Sequence, residues 1–369
     1  MSTKSIERAA DILTRPLSVG RLTLPNRVVM APMTREFSPE GVPGADVAQY
    51  YARRAAAGVG LIITEGAYIG HDSAGGSARV PRLHGAAALA GWSAVAEAVH
   101  RAGGRIMPQL WHIGMERALG APPVPDAPRI GPSGIALDGT NSGRAMTRVD
   151  IDEVVAAFAA AAAQAEALGF DGIEIHGAHG YLIDQFLWAE TNRRTDAYGG
   201  DIAGRTRFAA EIVAACRAAV AADFPISLRL SQWKANHYQA RIVETPQELE
   251  TMLGLLTEAG VDIFHCSTRR FQQPEFAGSE LGLAGWAKKL SGKPAIGVGS
   301  VGLGSEFPQM SPGSATGVAE LLDRLESDEF DLIAVGRALL GDPEWLPKVL
   351  AGQGETITPF HGGLLGSLH

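Results

Sequence analysis

Three side chains that can do chemistry stand close together in the stretch "IHGAHGYL", residues 175–182. His176, His179 and Tyr181 follow an apolar run and are separated by glycines. In a flat strand, a spacing of three would put the two histidines on opposite faces. We expect the strand to end at His176, so that Gly177 turns the chain and His179 swings back beside His176. By residue type, this group could be metal ligands, an acid–base pair or polar groups satisfied within a core.

Other polar side chains stand at the ends of apolar runs, where a core strand would seldom place them. Gln109 could donate to and accept from the amide-like edge of a planar heterocycle, or it could be satisfied by backbone groups. Arg229 should face an anion or an electron-rich ring, and a salt bridge to Glu174 is the alternative. Each of these groups needs a partner or a solvated surface. Together they indicate a large polar pocket.

Two glycine-rich turns follow the last two apolar runs, "GVGSVG" at residues 297–302 and "VGRALLGDPEW" at residues 335–345. Gly299 and Gly336 would let the backbone approach a phosphate, and Arg337 can add a charged fork. Many (β/α)8 barrels bind a phosphate after strands seven and eight. The turns therefore predict a phosphate site, with ordinary tight turns as the alternative.

Short apolar runs alternate with helical patterns along the whole chain. They cover residues 27–33, 60–66, 105–112, 171–177, 225–231, 262–268, 294–300 and 331–337. Most are apolar at consecutive positions, as parallel strands covered on both faces are. These strand–helix units predict an α/β fold, a (β/α)8 TIM barrel with its chemistry at the carboxyl ends of the strands. A doubly wound sheet is the alternative, but no G-x-G-x-x-G opens the first helix.

We expect a single domain over residues 1–369, with its core at about 16–352. The segment 113–148 follows the third strand, is rich in Pro and Gly, and should form a loop or cap over one barrel mouth. Residues 353–369 should form a C-terminal tail.

Helix capping signals mark two of the helices between the strands. We expect Asp150 to cap the helix that follows the insertion, with Glu153 closing a capping box. Thr245 should cap another helix, with Pro246 at its first position and Gly260 at its end.

The composition excludes several classes of protein. The chain of 369 residues has a net charge of −8 and no long basic run, which argues against a nucleic-acid or anionic-membrane partner. Its two cysteines, Cys216 and Cys266, are too far apart in sequence for a disulfide framework or an iron–sulfur cluster. The first residues carry no apolar h-region, so we expect no secretory signal, and we expect no membrane span because the longest apolar run is too short. We expect a cytoplasmic protein. The sequence does not decide whether it forms a homo-oligomer.

Five motifs in this order resemble the old yellow enzyme family of FMN-dependent ene-reductases, over about residues 16–352. They are "LPNRVVMAPMTR" (24–35), "PQLWHIG" (108–114), "GFDGIEIHGAHGYLIDQFL" (169–187), "NRRTDAYGGDIAGRTRF" (192–208) and "DLIAVGRALLGDPEW" (331–345). The resemblance implies a barrel that holds FMN without a covalent bond and uses NADH or NADPH as reductant.

The resemblance also implies a role for each matching residue. The segment of Pro32, Met33 and Thr34 would lie under the flavin, with Thr34 near the edge of the ring, and the backbone of Gly66 would contact the flavin ring. Gln109 and Arg229 would meet the pyrimidine part of the ring. Gly299, Gly336 and Arg337 would hold the phosphate. The substrate side would be formed by Trp111, His176, His179 and Tyr181.

The implied reaction is reduction of the C=C bond of a small activated alkene, such as an enone or enal. His176 and His179 would bind the carbonyl oxygen, on which negative charge builds, and Tyr181 would protonate the α-carbon. Residues 231–242 and 267–276 depart from the usual pattern at the expected mouth of the site. They leave the identity of the substrate open.

Other functions remain open. The same flavin site could act as a dehydrogenase, or reduce a quinone or nitro compound. A metal-dependent barrel hydrolase would use His112, His176, His179 and His265, but no carboxylate accompanies the H-x-x-H. A flavin-free binding barrel would leave the polar strand ends unexplained. We expect no resident metal.

Overall fold

The computed structural model describes residues 3–303 and 318–369. Its strands are β1 (Leu17–Val19), β2 (Leu22–Leu24), β3 (Val28–Met30), β4 (Leu61–Tyr68), β5 (Ile106–Trp111), β6 (Ile130–Gly131), β7 (Arg144–Ala145), β8 (Ile173–His179), β9 (Ile226–Lys234), β10 (Ile263–Ser267), β11 (Ala295–Val298) and β12 (Leu332–Val335). Its α-helices are α1 (Thr3–Leu13), α2 (Ala45–Ala56), α3 (Ala86–Arg101), α4 (Arg148–Ala167), α5 (Leu182–Leu187), α6 (Ile202–Ala219), α7 (Pro246–Ala259), α8 (Leu283–Ser291), α9 (Ala319–Glu326), α10 (Arg337–Gly341) and α11 (Trp345–Leu350).

Eight parallel strands form a closed barrel in the order β3, β4, β5, β8, β9, β10, β11 and β12. The last strand pairs with the first, with Ile333 opposite Val28, so the sheet has no free edge. Each of the eight predicted runs overlaps one of these strands, and the predicted (β/α)8 barrel is confirmed. The strands are apolar at consecutive positions because one face packs inside the barrel and the other packs against the helices.

The amino end of the barrel is closed by apolar side chains. Leu22 and Leu24, from the β1–β2 hairpin, join a buried cluster with inward-facing residues of the barrel strands. The Arg21 N–H donates to the oxygen of Asp223, just before β9, which places the hairpin at the start of the strands. The opposite end is therefore the one open to a ligand.

Helix α4 begins earlier than the sequence predicted. Thr147 is its N-cap, and the Asp150 carboxylate accepts from the Thr147 N–H at 2.6 Å, which completes a capping box. The prediction that Asp150 is the cap and Glu153 its partner is wrong, because Thr147 offers the same pattern one turn earlier. The predicted cap of α7 is confirmed: Thr245 accepts from Glu248, and Gly260 ends the helix in the left-handed region.

Strand β8 also differs from its prediction. It does not end at His176 but continues to His179, and β9 bulges beside it, with more residues than β8 between the pairs Gly177–Leu230 and His179–Lys234. The extra residue of a bulge changes which way later side chains point. His179 has a φ of 66°, and its N–H donates to Ser231 Oγ of β9 at 2.9 Å. A bulge in the neighbouring strand therefore replaces the predicted turn.

The insertion after β5 is partly ordered by its own contacts. It contains β6 and β7, and the buried guanidinium of Arg117 donates to backbone oxygens of Gly75, Ala121 and Val124. A Cβ at Gly180 would lie 2.5 Å from Leu137 Cδ1, so the insertion packs closely on the segment that carries Tyr181.

The C-terminal residues pack back on the barrel. Phe360 is buried, and the guanidinium of Arg35 donates to the backbone oxygens of Leu364 and Ser367 at 3.2 and 2.7 Å. No helix among residues 3–303 and 318–369 is long and apolar enough to cross a membrane.

Candidate active site

A cavity of about 460 Å³ opens at the carboxyl ends of the barrel strands. The predicted site residues that line it are Pro32, Met33, Thr34, Gln109, Trp111, His176, His179, Tyr181, Arg229, Gly299, Gly336 and Arg337. Gly66 is not among the lining residues. It pairs with Gln109, and a Cβ there would lie 2.5 Å from the Trp111 ring, so this glycine makes room for the indole. Its predicted contact with a flavin stays a prediction.

His176, His179 and Tyr181 form one aromatic cluster on the cavity wall. The two imidazole centroids are 5.2 Å apart, with their planes at 87°. The Tyr181 ring lies edge-on to His176 at 5.1 Å and to Trp111 at 4.8 Å. The Trp111 ring stacks on His176 at 5.9 Å and 16°. The register shift between β8 and β9 and the positive φ of Gly180, 90°, bring these side chains together.

Both histidines are neutral at physiological pH. Burial, followed by the charge of Arg229, lowers the pKa of His176 to about 3 and that of His179 well below its usual range. The Ala178 N–H donates to His176 Nδ1 at 3.3 Å, which leaves the ring proton of the neutral form on Nε2. His179 Nε2 lies 2.8 Å from Ser267 Oγ. The pair can therefore give hydrogen bonds without giving up a proton.

Tyr181 keeps its proton over the whole working pH range. Burial, followed by the charge of Glu116, raises its pKa to about 12. A phenol in this state is a neutral donor, held at the wall beside the two imidazoles. The cluster thus joins neutral N–H donors with a group that can supply a proton.

A buried polar layer lies beside this cluster. Glu174 accepts from Gln109 Nε2 at 2.8 Å and contacts His265 Nδ1 at 2.7 Å. Burial opposes ionisation of Glu174, but His265, the charge of Arg229 and the Gln109 bond outweigh it and lower its pKa. Burial lowers the pKa of His265, which is therefore neutral.

Arg229 remains charged, since burial lowers its pKa only to about 10. Its Nη2 donates to Ser267 Oγ at 3.4 Å, and its buried Nε has no hydrogen-bond partner within the described ranges. In the described part of the chain, no ion pair within 4.0 Å joins Arg229 to Glu174. The Glu174 carboxylate contacts His265 instead. The guanidinium is therefore available to an anionic or electron-rich group in the cavity.

The glycine-rich turns form the far end of the cavity. A Cβ at Gly336 would make ordinary contacts, the nearest with Met33 Sδ at 3.5 Å, and Gly336 itself lines the cavity. A Cβ at Gly299 would lie 2.7 Å from the Thr268 oxygen, which only a glycine avoids. Arg337 Nη2 donates to Ser300 Oγ at 3.2 Å. This end combines accessible backbone with a guanidinium, as a phosphate site requires.

The segment from Pro32 to Thr34 is held by a buried carboxylate. Glu65 Oε2 accepts from the N–H groups of Arg35 and Glu36 at 2.8 and 3.1 Å. Burial raises the pKa of Glu65 to about 7, against the pull of those two donors. The three residues before Arg35 are thereby fixed at the cavity wall.

Several lining residues were not predicted as site residues. They are Trp233, Arg269, Phe360 and Leu365. Trp233 and Arg269 lie in the two tracts that depart from the family pattern, which was the available signal. Phe360 and Leu365 gave no such signal, because both belong to the C-terminal residues, which pack back on the barrel through bonds such as the one from Arg35 to the Leu365 oxygen.

The four histidines of the metal alternative do not converge. His265 binds Glu174, and His112 Nε2 lies 3.2 Å from His71 Nδ1. Among residues 3–303 and 318–369, no group of three or more His, Cys, Asp and Glu side chains could hold a metal ion. This geometry does not favour a metal-dependent hydrolase.

Comparison with known proteins gives consistent matches. A family model described as "NADH:flavin oxidoreductase / NADH oxidase family" matches residues 12–355. The NADH oxidase of Thermoanaerobacter brockii is 35% identical over 352 residues, covering 92% of this chain and 50% of that protein. The flavin oxidoreductase hxnT of Emericella nidulans is 35% identical over 375 residues, covering 94% and 92%. The chain thus spans half of the first relative and most of the second.

The fold is shared with a solved flavin-family structure. Morphinone reductase in complex with tetrahydroNAD matches with a TM-score of 0.80 and 30% identity, covering 96% of this chain and 93% of that one.

Proposed function

Because the chain belongs to the NADH:flavin oxidoreductase / NADH oxidase family, we propose that it is an FMN-dependent ene-reductase. The match confirms the resemblance to the old yellow enzyme family. It also confirms the prediction that the protein is an oxidoreductase that uses a flavin and a nicotinamide reductant. The finer proposal is that hydride from NADH or NADPH reduces the C=C bond of an α,β-unsaturated carbonyl compound. It is carried by the convergence of His176, His179 and Tyr181 on one wall of the cavity.

The residues of the cavity fit FMN. Arg229 Nε is buried without a partner in the described residues, and a guanidinium beside the pyrimidine part of a flavin would use it. Gln109 gives one amide hydrogen to Glu174 and keeps the rest of its amide for a ligand. Gly336 and Arg337 line the same cavity, and a phosphate would be held between the backbone of the one and the guanidinium of the other.

The site residues would divide the work as follows. Bound FMN supplies hydride transfer from the nicotinamide to the alkene. The neutral imidazoles of His176 and His179 donate to the substrate carbonyl oxygen and stabilise the negative charge that builds there. Tyr181 Oη holds the proton that the α-carbon must receive. Trp111 packs on both His176 and Tyr181 and keeps water from the cluster.

Purification under native conditions tests the cofactor. We expect a yellow protein that releases FMN on denaturation and contains no stoichiometric metal. A colourless protein that does not respond to added FMN, or one that contains zinc, would contradict the proposal.

Stopped-flow experiments test the reaction. Anaerobic reduction of the bound flavin is followed with NADH and then NADPH, and the reduced enzyme is mixed with a cyclic enone, a quinone and a nitro compound. We expect reoxidation by the enone with formation of the saturated ketone. If only the quinone or the nitro compound reoxidised the flavin, ene-reduction would be contradicted, and the protein would be a quinone or nitro reductase.

A further inference from the structure

The tract of residues 231–242 supplies an indole ring to the cavity wall. Trp233 packs on His179, with ring centroids 4.5 Å apart and planes 33° apart. Its Nε1 donates to the backbone oxygen of Ser267 at 3.1 Å. The indole is therefore fixed at one face and at one edge, and it forms a rigid part of the wall.

A fully buried ion pair ties this tract to α5. Lys234 Nζ lies 3.0 Å from Asp184 Oδ1, and neither side chain has exposed surface. Lys234 Nζ also donates to the oxygen of Gln232 at 2.6 Å. Asp184 Oδ2 accepts from the N–H of Gly180, next to Tyr181, at 2.5 Å. Desolvating two charges is expensive, so a buried pair of this kind is better explained by the geometry that it fixes than by stability.

Backbone contacts join the tract and the histidine pair at the same point. The Ala235 N–H donates to the oxygen of His179 at 3.2 Å, and the His179 N–H donates to Ser231 Oγ. Ser231 Oγ in turn contacts the oxygen of Trp233 at 2.7 Å. Trp233, His179 and the loop before Tyr181 are thus held as one unit.

We propose that Trp233 is a specificity-determining residue for the substrate, and that Lys234 is a positioning residue that acts through it with Asp184. Trp111 stacks on His176, while Trp233 packs on His179. A substrate whose carbonyl oxygen meets both imidazoles therefore has an indole beside each of them. The wall accepts flat conjugated carbonyl compounds and rejects those with branching next to the carbonyl carbon. This inference rests on the proposed ene-reductase function.

The first experiment compares two substrates in the same enzyme. The ratio of kcat/KM for 6,6-dimethyl-2-cyclohexenone to that for 2-cyclohexenone is measured for the wild type, Trp233→Ala and Trp233→Phe. We expect Trp233→Ala to raise the ratio by about tenfold, the scale of a methylene-sized change in a pocket. Trp233→Phe keeps an aromatic face without the Nε1 bond, so its ratio should lie between those of the wild type and Trp233→Ala. An unchanged ratio in Trp233→Ala overturns the proposal.

The second experiment tests the positioning role. The double variant Lys234→Met with Asp184→Asn removes both charges and leaves neither one unpaired. We expect it to bind FMN and to move the substrate ratio in the direction of Trp233→Ala. Lys234→Arg, which keeps the charge, should stay closer to the wild type. A double variant that binds FMN but keeps the wild-type ratio overturns the role of Lys234, since lost stability alone would not change a ratio.

The wild type separates this inference from the proposed function. If the wild type reduces neither enone, the ene-reductase proposal fails. If it reduces 2-cyclohexenone and the ratio does not respond to Trp233, only the specificity inference fails.

Discussion

Glu174 and His265 form a fully buried contact beneath the cavity, with 2.7 Å between Glu174 Oε2 and His265 Nδ1. Since His265 is neutral, the carboxylate does not serve to balance a charge on the imidazole. It provides the negative charge near Arg229, which is itself buried and protonated. The histidine and Gln109 hold that carboxylate in place by hydrogen bonds. Glu174 thus compensates the charge of the Arg229 guanidinium, which lines the cavity.

We expect Glu174→Gln to lower the free energy of unfolding by about 3–5 kcal/mol, because Arg229 loses its compensating charge. Urea denaturation of the FMN-loaded protein measures this. Ser227→Ala is the control, since Ser227 Oγ gives the same carboxylate one bond of 3.2 Å, worth about 1 kcal/mol. Equal effects of the two substitutions would contradict the charge-compensation argument.

We expect Tyr181→Phe to slow alkene reduction by about 10²–10⁴-fold, the usual contribution of a positioned acid. Flavin reduction by NADH or NADPH should be affected much less, because that half-reaction needs no proton from this residue. Stopped-flow measurement of the two half-reactions separates the effects. If both slowed equally, Tyr181 would not be the proton donor.

Substitution of His176 and His179 by Asn should weaken the binding of phenol-type ligands, which mimic the charged carbonyl oxygen. Each lost donor to a charged oxygen is worth about 1.5–3 kcal/mol, or roughly 10- to 150-fold in Kd. Titration followed by the flavin spectrum measures the affinity. His112→Asn is the control, since His112 is a buried histidine that contacts His71 and is not among the residues that line the cavity. Unchanged phenol affinity in the double variant would refute the carbonyl-binding role.

The sequence predicted the barrel and most of the rim, because each strand carries its own apolar pattern and the fold dictates where strand ends meet. The residues that line the cavity at the ends of these strands, such as Gln109, Arg229 and Arg337, could be found from local pattern alone. The pattern around His179 could not. Its position depends on a bulge held by Ser231 on the next strand, and a bulge is a matter of pairing between strands.

Other parts of the site depend on contacts that no local pattern records. Trp233 reaches the wall because Lys234 pairs with Asp184, fifty positions earlier. Leu365 joins the cavity wall because Arg35 Nη2 donates to its backbone oxygen. Gly66 also makes room for the Trp111 ring, a packing role that no local pattern records, because glycine serves close packing as well as ligand approach.

We expect Arg35→Ala to release the C-terminal residues from the cavity wall and to speed FMN dissociation by roughly tenfold, since at least one hydrogen bond to a charged group is lost. Flavin fluorescence on dilution measures the rate. Arg53→Ala is the control, because the exposed Arg53 donates to Leu368 and lies away from the cavity. An equal rate in both variants would show that the C-terminal contact of Arg35 does not support the wall.

Acidification should destabilise the protein between pH 6.5 and about pH 4.5. Burial lowers the pKa of the buried histidines in the folded state, and that of His176 falls from the usual 6.5 to about 3. In this pH range the histidines therefore bind protons in the unfolded chain but not in the folded one. Stability present above pH 6.5 is lost as the pH falls, by about 1.4 kcal/mol per pH unit for each such group.

Two buried acids act in the opposite direction. Burial raises the pKa of Glu65 to about 7 and that of Asp184 to about 6, so the folded chain binds protons there first and gains stability on acidification. They are outnumbered by His112, His176, His179 and His265, so the free energy of unfolding should be higher at high pH.

Urea midpoints at a series of pH values measure this pH dependence. His112→Gln removes one histidine away from the cavity and should make the slope shallower by about 1.4 kcal/mol per pH unit. A protein that gained stability on acidification would show that the buried histidines are protonated in the folded state, and the neutral-donor role of His176 and His179 would fall with them.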